Sequence, residues 1–181
     1  MTDSLRSKAA LGFLLVLPGL AWAHASSGEA GGLLRGMLHP LGGLDHLLAM
    51  VAVGVWAAQC RGRAVWVLPV AFLAMMAAGG FLGTPGAPGG FAEAGVALSV
   101  VVLGLLVARA VRLPSTAGAA IVAVFAVFHG LAHGAEMPAD VSGWAYGAGF
   151  LVATAFLHAV GIALALLVRR VLQWKAAGRM S

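Results

Sequence analysis

The chain has 181 residues, of which 61% are hydrophobic and 9% charged, and it carries a net charge of +5. A soluble domain carries about 25% charged residues, so this composition excludes an ordinary water-soluble globule. The 26 glycines are typical of packed transmembrane helices, in which small residues let backbones approach closely. The one cysteine, Cys60, excludes an intramolecular disulfide and a cysteine-based zinc site. The composition therefore predicts an all-α integral membrane helix bundle.

The first 23 residues have the pattern of a secretory signal peptide. Arg6 and Lys8 precede an apolar stretch, and the sequence A-W-A at residues 21–23 fits a small-residue cleavage site. We expect cleavage there, which would make residues 24–181 the mature protein and His24 its first residue. The alternative interpretation is an uncleaved first transmembrane helix, which raises the number of spans from five to six.

Five further apolar segments are long enough to cross about 30 Å of hydrocarbon as helices. In chain order they are Leu38–Gln59, Ala64–Leu82, Phe91–Ala108, Thr116–Gly134 and Gly143–Val168. Short polar or Gly/Pro-rich connections separate them. We therefore predict that residues 24–181 form a single transmembrane domain of five helices, with no separate soluble domain.

The charged residues divide unevenly between the two sides of the predicted bundle. If the spans alternate, ten of the eleven Lys and Arg residues fall on one side, and Arg35 is the exception. The positive-inside rule makes that side cytoplasmic. The prediction is a bacterial inner-membrane protein with a periplasmic mature N-terminus and a cytoplasmic C-terminus. Topology accounts for the basic charge, so no nucleic-acid partner is expected, whereas the acidic outer side would attract cations.

The first cluster of chemically active residues lies at the outer end of the first predicted span. His39, Asp45 and His46 occur in the segment H-P-L-G-G-L-D-H, where a Pro-x-Gly-Gly break interrupts the helix. Such a break needs a wet cavity for its free backbone groups, and it allows His39 to fold back toward His46. Met50, one turn below His46, is available for a weak thioether contact. The alternative role for Asp45 is that of a helix cap.

The second cluster lies at the outer end of the fourth predicted span, in the segment F-H-G-L-A-H-G-A-E. Its residues His129, His133 and Glu136 have i, i+4, i+7 spacing, which places them within about 60° of one another on a helix. Two imidazoles and a carboxylate on one stripe form half of a divalent-metal site. Imidazole and carboxylate without thiolate suit Ni²⁺, Co²⁺, Zn²⁺ or Cu²⁺, and ligand type alone does not separate these ions.

Three further residues are secondary candidates for metal contacts. Glu93 opens the third predicted span, where an ionisable side chain is costly unless it is paired or functional. His158 lies near the middle of the fifth span, with Thr154 one turn before it and Gly161 one turn after; its alternative role is an interhelical hydrogen bond. After cleavage His24 would offer a free amine and an imidazole, and its alternative role is that of a flexible tail residue.

Together the two motifs resemble those of the HupE/UreJ family of bacterial membrane proteins. The family patterns are H-x5-D-H, here His39 to His46, and F-H-G-x-A-H-G-x-E, here Phe128 to Glu136. The family is linked to hydrogenase and urease systems and is regarded as a nickel permease, so the resemblance implies Ni²⁺ as cargo and nickel-enzyme maturation proteins as candidate partners. It also implies six main metal-site residues: His39, Asp45, His46, His129, His133 and Glu136.

The predicted function is a permease in the lipid bilayer that captures a hydrated divalent cation at its outer end and passes it inward, and not an enzyme. The sequence contains no G-x-x-x-x-G-K-[ST] motif, so we expect the membrane potential or proton exchange to drive uptake. Two alternatives use the same residues: an intramembrane zinc hydrolase with a metal-bound water, and an accessory scaffold that binds metal without flux. Measured metal flux separates the permease from both.

Overall fold

The computed structural model describes residues 29–178, and within them the fold is built of α-helices joined by short connections. In chain order the helices are α1 Glu29–Gly42, α2 Leu44–Cys60, α3 Ala64–Leu82, α4 Gly90–Ala108, α5 Ser115–Ala135 and α6 Gly143–Ala177. The predicted all-α fold is confirmed for this part of the chain. The predicted signal peptide and His24 lie outside the described residues.

Four helices, α3 to α6, are long and apolar enough to cross a membrane, and α1 with α2 adds a fifth span if the pair is counted as one. Helices α3, α4 and α5 begin and end within one residue of the predicted spans. Helix α6 continues beyond its predicted end at Val168 as far as Ala177. With 35 residues it is about 52 Å long, which exceeds the roughly 30 Å of a hydrocarbon core.

The first predicted span is divided between α1 and α2, whose axes make an angle of 86°. Pro40, in the last turn of α1, lacks the N–H group that would continue the helical hydrogen bonds. Gly43 is extended, with φ −113° and ψ 123°, and precedes α2. The predicted break is therefore confirmed. The helical segment also begins earlier than the predicted start at Leu38, because residues 38–42 belong to a separate helix that begins at Glu29.

Glycines bring helix backbones into direct contact where α6 crosses α1 and α2 and where α5 crosses α3. In each case the glycine meets a carbonyl oxygen of the partner helix: Gly36 meets that of Tyr146, Gly54 that of His158, and Gly130 that of Met76. A Cβ atom at any of these glycines would overlap the facing carbonyl. These crossings show the small-residue packing that transmembrane helices use in place of a hydrophobic driving force.

Helix α2 is the centre of the bundle and contacts each of the other five helices. Near its C-terminus, Trp56 Nε1 donates a hydrogen bond to the carbonyl of Val111 at 2.8 Å, which ties the α4–α5 connection to α2. We call the end of the bundle at which α2 finishes the arginine end. It is formed by the turn at residues 61–63, the connection at residues 109–114 and the C-terminal half of α6. We call the opposite end, where α2 begins and α5 finishes, the histidine end.

Candidate metal site

Histidines from three helices converge at the histidine end. The break after α1 brings His39 close to the first turn of α2, which carries His46, while the last two turns of α5 carry His129 and His133. The ring centroids of His46 and His133 are 4.5 Å apart, those of His46 and His129 5.0 Å, and those of His39 and His133 4.8 Å. The two sequence motifs therefore form one cluster, and the predicted approach of His39 to His46 is confirmed at 6.5 Å between ring centroids.

The cluster contains two overlapping groups of potential ligands. The inner triad consists of His46, His129 and His133, and the outer triad of His39, His133 and Glu136. In each triad, one ligand atom from every residue lies within 4.8 Å of the others, which is the spacing needed to hold a single ion. His133 belongs to both triads. The site is therefore a pair of adjacent positions that share one imidazole.

The two triads differ in their exposure to solvent. Side-chain exposure is 46% at Glu136 and 31% at His39, but 13% at His46 and 4% at His133. His129 is fully buried. The cluster thus leads from an open group that includes a carboxylate to a buried group made of imidazoles alone.

Asp45 holds the His46 imidazole in one orientation. Its Oδ1 accepts a hydrogen bond from the His46 backbone N–H at 2.8 Å and lies 2.9 Å from His46 Nδ1. A proton on Nδ1 leaves the lone pair on Nε2, a buried atom without a hydrogen-bond partner in residues 29–178. Carboxylates commonly orient metal-ligating histidines in this way. Asp45, one of the six predicted metal-site residues, lies in neither triad and contacts the His46 ring at Nδ1.

Ser99 on α4 performs the same task for His129, and sequence reasoning missed it. The buried hydroxyl donates to the carbonyl of Val96 at 2.6 Å, so its oxygen is left to accept from His129 Nε2 at 2.9 Å. This arrangement puts the ring proton on Nε2 and the lone pair on Nδ1, which has no partner in the described part of the chain. In the sequence, the signal that could have identified Ser99 was its hydroxyl group among the apolar residues of this span.

Glu136 connects the two imidazoles of the outer triad. Its Oε2 lies 2.9 Å from His39 Nε2 and 3.9 Å from His133 Nδ1. The His133 ring also packs against Phe150, with 3.7 Å between ring centroids, which fixes it where the triads meet. The carboxylate is therefore the more exposed end of the outer triad and lies beside both of its imidazoles.

The secondary candidates lie apart from both triads. Glu93 is exposed in the first turn of α4, and the structure places it in neither group. His158 is buried deeper in the bundle, and both of its ring nitrogens lack hydrogen-bond partners within residues 29–178. The ring of Phe72 lies between His129 and His158, with its centroid 5.4 Å from that of His129 and 5.2 Å from that of His158. Met50 is buried in the apolar core.

An ion pair that the sequence did not predict fastens α1 beside the site. Arg35 Nη1 lies 2.8 Å and 2.9 Å from the two carboxylate oxygens of Asp140, in the connection between α5 and α6. Because Arg35 precedes His39 by one turn, the pair helps to set the position of the outer triad.

The fold and the cluster define a class of protein: a membrane-spanning helix bundle with a histidine-rich candidate cation site at one end. The family model described as HupE / UreJ protein matches residues 12–181. The chain therefore belongs to the HupE/UreJ family, whose members are of the nickel/cobalt permease type and are linked to hydrogenase and urease.

A curated relative supports the same assignment. The chain is 49% identical to Protein HupE of Rhizobium leguminosarum bv. viciae over 151 residues, which cover 83% of this chain and 78% of that protein. No solved structure matches the chain.

Proposed function

We propose that the protein is a permease for divalent transition-metal ions and that its cargo is Ni²⁺. The observation that carries this proposal is the position of His133 in both triads. A cation can pass from the open triad to the buried one while it keeps His133 as a ligand. Because the ion never loses all its protein ligands at once, the cost of removing its water is spread over several small steps.

Capture begins at the outer triad. The Glu136 carboxylate attracts the hydrated cation, and His39 with His133 supplies borderline ligands. The ion then meets three imidazoles in the inner triad, where His46 and His129 are held in defined tautomers by Asp45 and Ser99. This donor set suits Ni²⁺, Co²⁺, Zn²⁺ and Cu²⁺, and the choice of nickel rests on the family.

We propose His158 as a further station below the inner triad. It is the next buried imidazole toward the arginine end, and the Phe72 ring separates it from His129. Movement of that ring would connect the two levels. Glu93 and His24 are proposed only as secondary contributors to capture.

In the proposed orientation the histidine end faces the periplasm and the arginine end faces the cytoplasm. A doubly charged ion that moves inward gains about 4.6 kcal/mol per 100 mV of membrane potential. This energy is sufficient for accumulation of about a thousandfold without nucleotide hydrolysis. The accumulated nickel would supply the maturation of hydrogenase or urease, with maturation proteins as partners.

Uptake into proteoliposomes that contain only this protein tests the proposal. Vesicles with an imposed inside-negative potential would be offered Ni²⁺, Co²⁺, Zn²⁺ or Cu²⁺ separately, and protein-free vesicles would give the leak. We expect potential-dependent entry of Ni²⁺ above the leak. Stoichiometric binding without entry would favour an accessory scaffold, and zinc-dependent turnover of a lipid or amide without entry would favour a hydrolase; either result contradicts the permease.

A further inference from the structure

A cavity lies at the arginine end, far from the histidine cluster. Its volume is 540 Å³, and it opens between the C-terminal parts of α2 and α6. Three guanidinium-bearing residues line it, one each from the α2–α3 turn, the α4–α5 connection and α6: Arg61, Arg112 and Arg169. Three separate parts of the chain therefore contribute positive charge to one cavity.

These charges have no counterpart in the surrounding protein. No carboxylate lines the cavity. Within residues 29–178, ion pairs to arginine are confined to Arg35 at the opposite end of the bundle. The cavity thus presents three guanidinium groups without a protein anion, and guanidinium groups pair with phosphate oxygens in a bidentate geometry.

Most of the remaining wall is apolar, and Gln59 and Gln173 are its polar members. Its aliphatic side chains come from α6, on both sides of Arg169, and from α2: Leu164, Leu166, Val168, Leu172 and Val55. Such apolar side chains would not contribute to the binding of a free anion. A cavity with a positive rim and an apolar wall matches a molecule that has an anionic head and hydrocarbon chains.

We propose that this cavity binds an anionic phospholipid, whose phosphate pairs with Arg61, Arg112 and Arg169 and whose acyl chains lie along α6. Basic pockets between helices on the cytoplasmic side of membrane proteins bind headgroups of this kind. The bound lipid joins the α2–α3 turn, the α4–α5 connection and α6. It also neutralises positive charge at the end from which a cation would leave. The binding itself does not depend on the proposed transport activity.

Other arginines at the same end provide a matched control. Arg63, Arg109 and Arg170 carry the same charge and are adjacent to, or a few residues from, the three that line the cavity, but they do not line it. A triple glutamine variant of either set removes the same total charge from the same side of the membrane. General electrostatic attraction predicts equal effects of the two variants, whereas the proposed site predicts unequal ones.

Native mass spectrometry of the detergent-solubilised protein measures the binding. Phosphatidylglycerol, phosphatidylcholine and inorganic phosphate would be titrated separately against the parent and both triple variants. We expect the parent to bind phosphatidylglycerol at least about tenfold more tightly than phosphatidylcholine. The variant Arg61→Gln/Arg112→Gln/Arg169→Gln should lose this preference, and Arg63→Gln/Arg109→Gln/Arg170→Gln should keep it.

The single variant Arg169→Gln covers the case in which the triple variant does not fold, and it should weaken phosphatidylglycerol binding by severalfold. Equal losses in the two triple variants would overturn the proposal. Equal binding of phosphatidylcholine would also overturn it. Displacement of the lipid by inorganic phosphate at matched concentration would overturn it as well, because contacts between the acyl chains and the apolar wall would then contribute nothing to binding. Nickel uptake is not needed for any of these measurements.

Discussion

The outer and inner triads share His133 but differ in exposure, in charge and in the support of their rings. The outer triad is open to solvent and includes the Glu136 carboxylate, whereas the inner triad is buried and consists of imidazoles. Hydrogen bonds from outside the inner triad orient two of its three rings, those of His46 and His129. In the described residues, the hydrogen-bond partner of the His39 ring is Glu136, which is itself a member of the outer triad. We therefore propose a division of labour, in which the outer triad would capture the ion and the inner triad would select it.

The largest effect is expected for His133→Ala, because this change removes a ligand from both triads. Loss of a residue that merely orients a ligand costs about 10–100-fold in metal affinity, so loss of this shared ligand should reduce Ni²⁺ uptake by more than about a hundredfold at low metal. Radioactive nickel uptake in proteoliposomes measures the rate. Glu29→Gln, which changes an exposed acid outside both triads, is the control. Uptake at the parent rate by well-folded His133→Ala protein would show that the cluster is structural.

His46→Ala should damage only the inner triad. We expect transport at low metal to be abolished because few spare ligands exist there, while the outer triad keeps all its members and still binds one Ni²⁺ weakly. Equilibrium dialysis alongside the uptake assay separates binding from flux. If the variant loses binding and flux equally, the two triads act as a single site and the division of labour is wrong.

Ser99→Ala should lower the affinity of the inner triad by about 10–100-fold, because the His129 ring loses the group that fixes its tautomer. Ser99→Thr keeps a hydroxyl and should restore most of the affinity. Isothermal titration with Ni²⁺ gives the affinities of both variants. A structural role for Ser99 alone predicts that the alanine variant loses stability and keeps its affinity, which is the opposite pattern.

Glu136→Gln should raise the Ni²⁺ concentration that gives half-maximal uptake by up to about tenfold and leave the maximal rate nearly unchanged. The amide keeps the shape of the side chain but removes the charge that attracts the ion, and the affected residue is nearly half exposed. Rates measured over a range of nickel concentrations separate the two parameters. A fall in the maximal rate alone would place Glu136 in the transfer step instead of capture.

The smallest effect is expected for Arg35→Gln, which removes an exposed ion pair with Asp140. Pairs of this kind contribute about 0–1 kcal/mol, and salt screens them. The thermal unfolding midpoint in detergent should therefore fall slightly at low salt and match the parent at high salt. A large loss that persists in high salt would mean that the pair is essential for holding α1 in place.

The sequence predicted the helices well where hydropathy alone determines them, as the bounds of α3, α4 and α5 show. It also predicted the stripe of His129, His133 and Glu136, but not the division of that stripe between two positions. Seven residues advance a helix by about 10.5 Å, which is too far for one ion to reach both ends. His129 therefore joins the inner triad and Glu136 the outer one.

The missed contacts are those between residues far apart in the chain. Ser99 and His129 are 30 positions apart, and Arg35 and Asp140 are 105 apart. Hydropathy and helical periodicity describe each helix separately, so they give no information about which faces meet. Asp45 shows that the role of a residue next to its partner in the chain can also be hidden. Its sequence position beside His46 did not show whether it would bind the ion or orient the ring.

The glycine crossings have a mechanical consequence for the cation. They join α1 and α2 to α6 in one unit and α3 to α5 in another, through direct backbone contacts. Each triad takes ligands from both units, with His39 or His46 from one and His133 from the other. In the proposed site, a bound ion would therefore hold the two units together. Its departure would leave the two units free to shift against each other, and such a shift would move Phe72 on α3 relative to His158 on α6.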